Sequence, residues 1–242
     1  MTYVVIGGSA GLGRRISERI AAQGGRLVVA SRDPRDGVAQ ASDLSLRYGT
    51  SARAVAIDLA SPKPDFAALD TGIDQDELIE AIVITAAEVS NRDVFPLENA
   101  GAGAMLRGNF LSIALCIDHL LPRLRAGSAI VGLGSVAAFR GRSRNVVYAA
   151  SKRALASLFE SLDHELSARG IRVQFYHVGY LDTNMSFGRR LRLPAASADR
   201  LARKIVRNLT KPSGQFYYPQ YWRLARPLLQ AVPSRLWRRW RE

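Results

Sequence analysis

The feature that most constrains this chain stands at its start. A short apolar run, Thr2–Ile6, leads directly into Gly7-Gly8-Ser9-Ala10-Gly11-Leu12-Gly13, and a stretch with Ile16 and Ile20 on one helical face comes next. Glycines at 7, 11 and 13 have no Cβ, so the backbone can turn tightly there and lie close against a ligand. The first turn of the next helix then offers free N–H groups and a partial positive charge. Strand, glycine-rich turn and helix in that order predict a phosphate-binding unit of the dinucleotide type. Gly7, Ser9, Gly11, Leu12 and Gly13 are its expected cradle, and Arg14 is near enough in sequence to reach the same phosphates.

The rest of the chain repeats the alternation. Strand candidates are Thr2–Ile6, Arg26–Ala30, Ala52–Ile57, Ala81–Thr85, Ala129–Leu133, Arg172–His177 and Phe216–Tyr218. Most are continuous apolar runs rather than alternating ones, as expected of parallel strands buried on both faces. Helical patterns lie near 11–23, 35–48, 103–125, 146–169 and 197–209, between the strands. The expected fold is α/β: a Rossmann-type, doubly wound parallel sheet of about seven strands in three layers. Residues 58–78, with Pro62, Pro64 and Gly72, read as a weakened crossover helix of uncertain bounds. A length of 242 residues suits one such domain. We expect residues 1–212 to form the dinucleotide-binding and catalytic domain, and 213–242 a basic, aromatic C-terminal extension.

The second strand ends Ala30-Ser31-Arg32. An acid at this place would receive the ribose 2′-hydroxyl of NAD. A hydroxyl and a guanidinium instead suit a 2′-phosphate, which favours NADP(H) over NAD(H). The plainer alternative for Arg32 is a solvated loop residue paired with Asp33. Asp58 closes the third strand, where its carboxylate can accept from an adenine amino group or cap the next helix.

Tyr148 and Lys152 stand at i and i+4 of a helical pattern and so share one face. An ammonium beside a phenol favours the phenolate, which tunes tyrosine toward proton exchange with a carbinol oxygen. Tyr-x-x-x-Lys by itself is also a common surface pair. Ser135 strengthens the functional reading, because it lies just past the strand Ala129–Leu133 and ligands of open α/β sheets bind outside the carboxyl ends of strands. Its hydroxyl can polarise a carbonyl oxygen there. Asn109 can hold a water that links Lys152 to solvent, or serve as a surface or capping residue.

With these residues in view, the sequence resembles the short-chain dehydrogenase/reductase family from Val4 to about Met185. The family's glycine loop matches Ile6–Gly13, with Ile6 in place of threonine. Its Asn-Ser-Tyr-Lys set falls on Asn109, Ser135, Tyr148 and Lys152. Gly170-Ile171-Arg172-Val173 and Gly179-Tyr180-Leu181-Asp182-Thr183 also fit. The resemblance implies NADP(H)-dependent hydride transfer between a carbonyl and an alcohol. It implies cofactor contacts from Leu59 and Ala86 and from Val178, Gly179, Leu181 and Thr183, as well as from Tyr148 and Lys152. It also implies a homodimer or homotetramer. Two departures stand out: Ile84-Thr85-Ala86-Ala87 replaces Asn-Asn-Ala-Gly, and Val178-Gly179 replaces Pro-Gly. The first is expected to lose hydrogen bonds that brace the sheet centre, the second to loosen a turn beside the nicotinamide.

Charge is uneven along the chain. The formal net charge is +13, and residues 185–242 hold 14 Lys/Arg against 2 Asp/Glu, so nearly all the excess lies in the last quarter. The loop Phe139-Arg140-Gly141-Arg142-Ser143-Arg144-Asn145 lies between Ser135 and Tyr148. It reads either as a binding loop, through Arg140 and Arg142, for an anionic substrate group such as a phosphate, or as a solvated loop. Farther on, Trp and Leu interleave with Arg through Trp222-Arg223-Leu224 and Leu236-Trp237-Arg238-Arg239-Trp240-Arg241, in short helices expected to break at Pro227 and Pro233. This pattern suits peripheral contact with a membrane through 215–242, and equally a subunit contact or a flap over the site. The tail loosely resembles the polyprenyl-phosphoryl keto-pentose reductases, which implies a phosphorylated or lipid-linked carbonyl substrate. No nucleic-acid partner is expected, since no recognition fold accompanies the basic tail. His119, His164 and His177 do not cluster with carboxylates, so no metal is expected.

No segment reaches the ~18 uninterrupted apolar residues of a spanning helix. The N-terminus lacks a signal-peptide pattern, and the lone Cys116 sits in apolar surroundings. A cytoplasmic protein, peripheral on the inner face of the membrane if the tail docks there, is the expectation. Two rival functions remain open: a non-catalytic dinucleotide-binding sensor, and a membrane-docking protein with weak activity.

Overall fold

A computed structural model of the chain describes residues 1–183 and 193–239. Seven strands form one parallel sheet: β1 (Thr2–Ile6), β2 (Arg26–Ser31), β3 (Ala52–Ala56), β4 (Ile79–Ile84), β5 (Leu124–Ser135), β6 (Arg172–Val178) and β7 (Gly214–Tyr218). Their order is β3-β2-β1-β4-β5-β6-β7, so the direction of winding reverses between β1 and β4. That reversal opens a crevice beyond the carboxyl ends of the strands, where doubly wound sheets bind ligands.

Continuous apolar strands are needed because both faces are covered. On one face, α4 (Ser112–Leu120) and α5 (Val146–Leu166) bury Ile113, Ile117, Leu155 and Phe159 against Val4, Ile82 and Ile130. On the other, α1 (Gly11–Ala21), α2 (Pro34–Tyr48) and α6 (Ala198–Asn208) bury Ile16, Ile20, Leu44, Leu201 and Ile205 against Val5, Val83 and Val131. Each such side chain contributes about 1.5–3 kcal/mol on leaving water. Asp33 caps α2 by accepting from Arg35 N at 2.9 Å, and Gly49 closes it in the left-handed conformation.

The crossover at 58–78 holds one short 3₁₀ turn, Ala67–Gly72. The helix expected over 103–125 is composite: α3 (Asn99–Leu106), a wider π turn at Arg107–Leu111, then α4. The run Asn99–Arg123 is apolar enough on average (mean hydropathy 1.4) and long enough to cross a membrane. Ile113, Cys116, Ile117 and Leu120 nevertheless pack into the sheet core.

The expected extension 213–242 begins inside the sheet, because β7 pairs with β6 from Gln174–Gly214 to Val178–Tyr218. Beyond it lie α7 (Trp222–Ala231) and α8 (Ser234–Trp237). The chain breaks at Pro233, but Pro227 sits inside α7 rather than ending it. The tail residues Trp240 and Arg241, and Met185 at the end of the family match, lie outside the described residues.

Candidate active site

A cavity of about 780 Å³ occupies the crevice, within the range of small-molecule and cofactor sites. Its floor is built from strand ends: Ile6–Gly7 at the end of β1, Ser31–Arg32 at the end of β2, Asp58–Leu59 after β3, Thr85–Val89 after β4, Ser135 at the end of β5, and Val178–Leu181 at the end of β6.

Gly7 holds φ +82°, and a Cβ there would stand 2.8 Å from Ala86 N. A side chain is therefore excluded by both conformation and contact. Ser9, Gly11, Leu12 and Gly13 also line the cavity, and α1 begins without a side-chain cap or an acid in its first turn. Its N-terminal field is thus open to an anion. Arg14 is not among the lining residues. Its guanidinium pairs with Glu18 at 3.2 Å, along the helix and away from the lining.

The departure at Ile84-Thr85-Ala86-Ala87 has its own brace. Thr85 Oγ1 lies 3.0 Å from Ile6 O and 3.1 Å from Gly7 O, so its hydroxyl ties the glycine turn to β4. The expected loss of bracing does not occur. Nor is the turn at Val178-Gly179 loose, since Gly179 N donates to Tyr218 O at 2.9 Å and Val178 is held between β5 and β7.

Ser31 is buried and its hydroxyl donates to Asp33 O at 2.8 Å. Arg32, exposed at the rim, pairs with Glu88 at 2.6 Å rather than with Asp33. Such an exposed pair holds by well under ~1 kcal/mol and yields readily to a better anion. Asp58 accepts from Ala60 N at 3.0 Å in a local turn, not as the cap of a helix, since the next helical turn starts at Ala67, and it lines the cavity.

At the other end stand Ser135, Tyr148 and Lys152. Ser135 Oγ accepts from Ala137 N at 3.1 Å, which leaves its own hydrogen to donate. Lys152 is 2% exposed and donates to Leu133 O at 3.1 Å. Burial pulls its ammonium down to about 8, so it stays mostly protonated at neutral pH. Asp93 was not evident from the sequence. It is buried, and its carboxylate accepts from Val147 N and Tyr148 N, both at 2.8 Å. Asn145, left-handed at φ 55°, precedes this turn and contributes no side-chain cap. A distant carboxylate thus anchors the first turn of α5 and with it Tyr148.

Asn109 is fully buried in the π turn, neither on a surface nor in the cavity lining. Its Oδ1 accepts from Glu88 N at 2.7 Å and its Nδ2 donates to Glu88 O at 2.8 Å. It holds the chain just past β4 through the backbone of Glu88. Arg140 also departs from expectation. It donates to Leu229 O at 2.6 Å and lies over the Trp237 ring, outside the lining, whereas Arg142 lines the cavity. The tail contributes Trp222, Leu229 and Trp237 to the lining. Trp237 Nε1 donates to Gly141 O at 2.7 Å, and Trp222 packs so tightly that a Cβ on Gly179 would stand 2.6 Å from its Nε1. His177 is buried beside Gln215 and Tyr217, a structural place. Among the described residues no cluster of His, Cys, Asp and Glu could hold a metal.

The sequence profile of the short chain dehydrogenase family matches residues 1–192. The chain belongs to this family. Carbonyl reductase family member 4 of Danio rerio is 31% identical over 188 residues, covering 76% of this chain and 77% of the relative. A short-chain dehydrogenase of Sphingobium yanoikuyae, solved in complex with NADPH, superimposes with a TM-score of 0.81 at 24% identity, covering 96% of each chain. A blue fluorescent protein from a metagenomic library, also in complex with NADPH, gives 0.81 at 25% identity, covering 89% of this chain and 95% of that one.

Proposed function

We propose that this chain is an NADPH-dependent carbonyl reductase, working in reverse on the alcohol when the cofactor is oxidised. The observation that carries this reading is one continuous cavity, with the glycine turn and Arg32 at one end and Ser135, Tyr148 and Lys152 at the other. The left-handed turn at Gly7 and the open N-terminus of α1 fit a pyrophosphate. Ser31 and Arg32, with no acid at the end of β2, fit a 2′-phosphate. The NADPH-bound blue fluorescent relative lends support to the same choice. The nicotinamide, when bound, supplies or receives the hydride.

The chain's own residues do the rest. The Ser135 hydroxyl donates to the substrate oxygen and polarises the carbonyl. The Tyr148 hydroxyl gives its proton to that oxygen as the C–H bond forms, and takes it back in the reverse direction. The Lys152 ammonium, held on the same helix face, favours the phenolate that remains. The substrate is a carbonyl compound with an apolar body against Trp222, Leu229 and Trp237. Arg142, the cavity-lining arginine of its loop, favours an anionic substituent, and a phosphorylated lipid-linked ketone meets both requirements.

The test is nicotinamide fluorescence during titration with NADPH and NADH, and then a panel of neutral, phosphorylated and amphiphilic ketones with Tyr148→Phe as control. NADPH binding and Tyr148-dependent oxidation of NADPH support the reading. Binding without turnover of any carbonyl would leave a dinucleotide sensor in its place.

A further inference from the structure

The helix α7 carries two apolar stripes, and the cavity uses one of them. Trp222, Ala225, Arg226 and Leu229 face inward, and two of these four line the cavity. Leu224, Pro227, Leu228 and Ala231 repeat at the same helical spacing on the other side and are exposed. Leu224 is 73% and Leu228 70% exposed, and Leu236 on α8 is 57% exposed. A helix facing water has no use for a second apolar stripe.

The charge around that stripe identifies its partner. From residue 200 to 241 the chain has 11 Lys/Arg and no Asp or Glu. Arg223, Arg235, Arg238 and Arg239 are exposed on α7, on α8 and just beyond it. Among the described residues, none of these four forms an ion pair with an acid. A second copy of the chain would bring the same positive charge to the contact and repel it. An anionic bilayer offers both what the leucines and what the arginines lack, an apolar interior beneath a negative surface.

We infer that the outer face of α7 and α8 docks on an anionic phospholipid membrane, with Leu224, Leu228 and Leu236 in the acyl boundary and the arginines among the headgroups. The inner face of the same helix walls the cavity, so docking sets the substrate end of the site at the membrane surface. The loop between Ser135 and Tyr148 is tied to this helix by Arg140, which donates to the carbonyl oxygen of Leu229.

Flotation of the full chain with vesicles tests this, using phosphatidylcholine alone and phosphatidylcholine with a third phosphatidylglycerol. The variants are Leu224→Glu/Leu228→Glu, and Arg235→Ser/Arg238→Ser/Arg239→Ser; both change exposed side chains, and NADPH titration and the thermal transition check that each stays folded. The expected result is binding to the anionic vesicles only, with roughly a tenfold or greater fall in partitioning for each variant. Absence of flotation with anionic vesicles, or flotation that neither variant weakens, would overturn the inference. So would a wild-type chain that fails to float and sediments as an oligomer which Leu224→Glu/Leu228→Glu splits, since the face would then be a contact between copies. None of these readouts depends on turnover, so failure of the carbonyl-reductase reading would be separately visible.

Discussion

The buried carboxylate of Asp93 accepts the backbone N–H of Tyr148 at 2.8 Å, 55 residues away along the chain. The same carboxylate takes Val147 N, so two of the unsatisfied donors at the start of α5 end on one side chain. Asp93→Ala leaves both part-buried donors without this partner. We expect a loss of about 1–2 kcal/mol in denaturant unfolding. Turnover should fall at unchanged NADPH affinity, with Asp93→Asn recovering part of both because its amide oxygen still accepts.

Tyr148→Phe removes the hydroxyl proposed as proton donor while keeping the ring. NADPH binding should persist and turnover should fall by about 10²–10⁴. Single-turnover oxidation of NADPH with a saturating ketone measures this. A variant with unchanged turnover would remove Tyr148 from the chemistry.

Lys152 links the proposed chemistry to stability. Its folded value of about 8 lies below the usual lysine value near 10.5, because burial disfavours the charged form. Between these values the unfolded chain binds more protons, so stability attributable to this group rises as pH rises from 8 toward 10.5. Below pH 8 both states are charged, and the folded state carries the full desolvation cost. Lys152→Met should therefore be at least as stable as wild type at pH 7, with the gap shrinking by pH 10, while turnover collapses. Paired chemical unfolding of both proteins across this range checks the sign.

Arg32 is held by Glu88 in a pair that NADPH would replace. Arg32→Ala should weaken NADPH roughly tenfold to a hundredfold and leave NADH nearly unchanged. Glu88→Ala should tighten NADPH modestly, because the guanidinium no longer has to exchange a partner. Equal losses for both nucleotides in Arg32→Ala would count against a 2′-phosphate contact.

Thr85→Val tests the bracing of the glycine turn. The methyl group keeps the volume but loses the bond to Ile6 O and Gly7 O. Both nucleotides should bind several-fold more weakly, with a loss of about 1 kcal/mol in stability.

By itself, the sequence determined the parallel sheet, and it singled out the glycine turn and Ser135, Tyr148 and Lys152, which the fold brings to the lining of one cavity. These rest on local regularities: apolar strand runs, glycines where a side chain cannot fit, and two residues four apart on one helix. Only the tertiary structure decided which polar side chains meet across long separations. Asn109 is closed onto the backbone of Glu88, Thr85 braces a turn nearly eighty residues earlier, and Asp93 caps α5. Arg14, Arg32 and Arg140 all offered a guanidinium to an anion, and of these only Arg32 lies in the cavity lining, while Arg14 pairs with Glu18 and Arg140 with Leu229 O. The tail had three readings from composition, and packing put its inner stripe on the cavity. A charged or hydrogen-bonding group advertises only its chemistry in one dimension, and its partner is set by which backbone the folded core brings within about 3 Å.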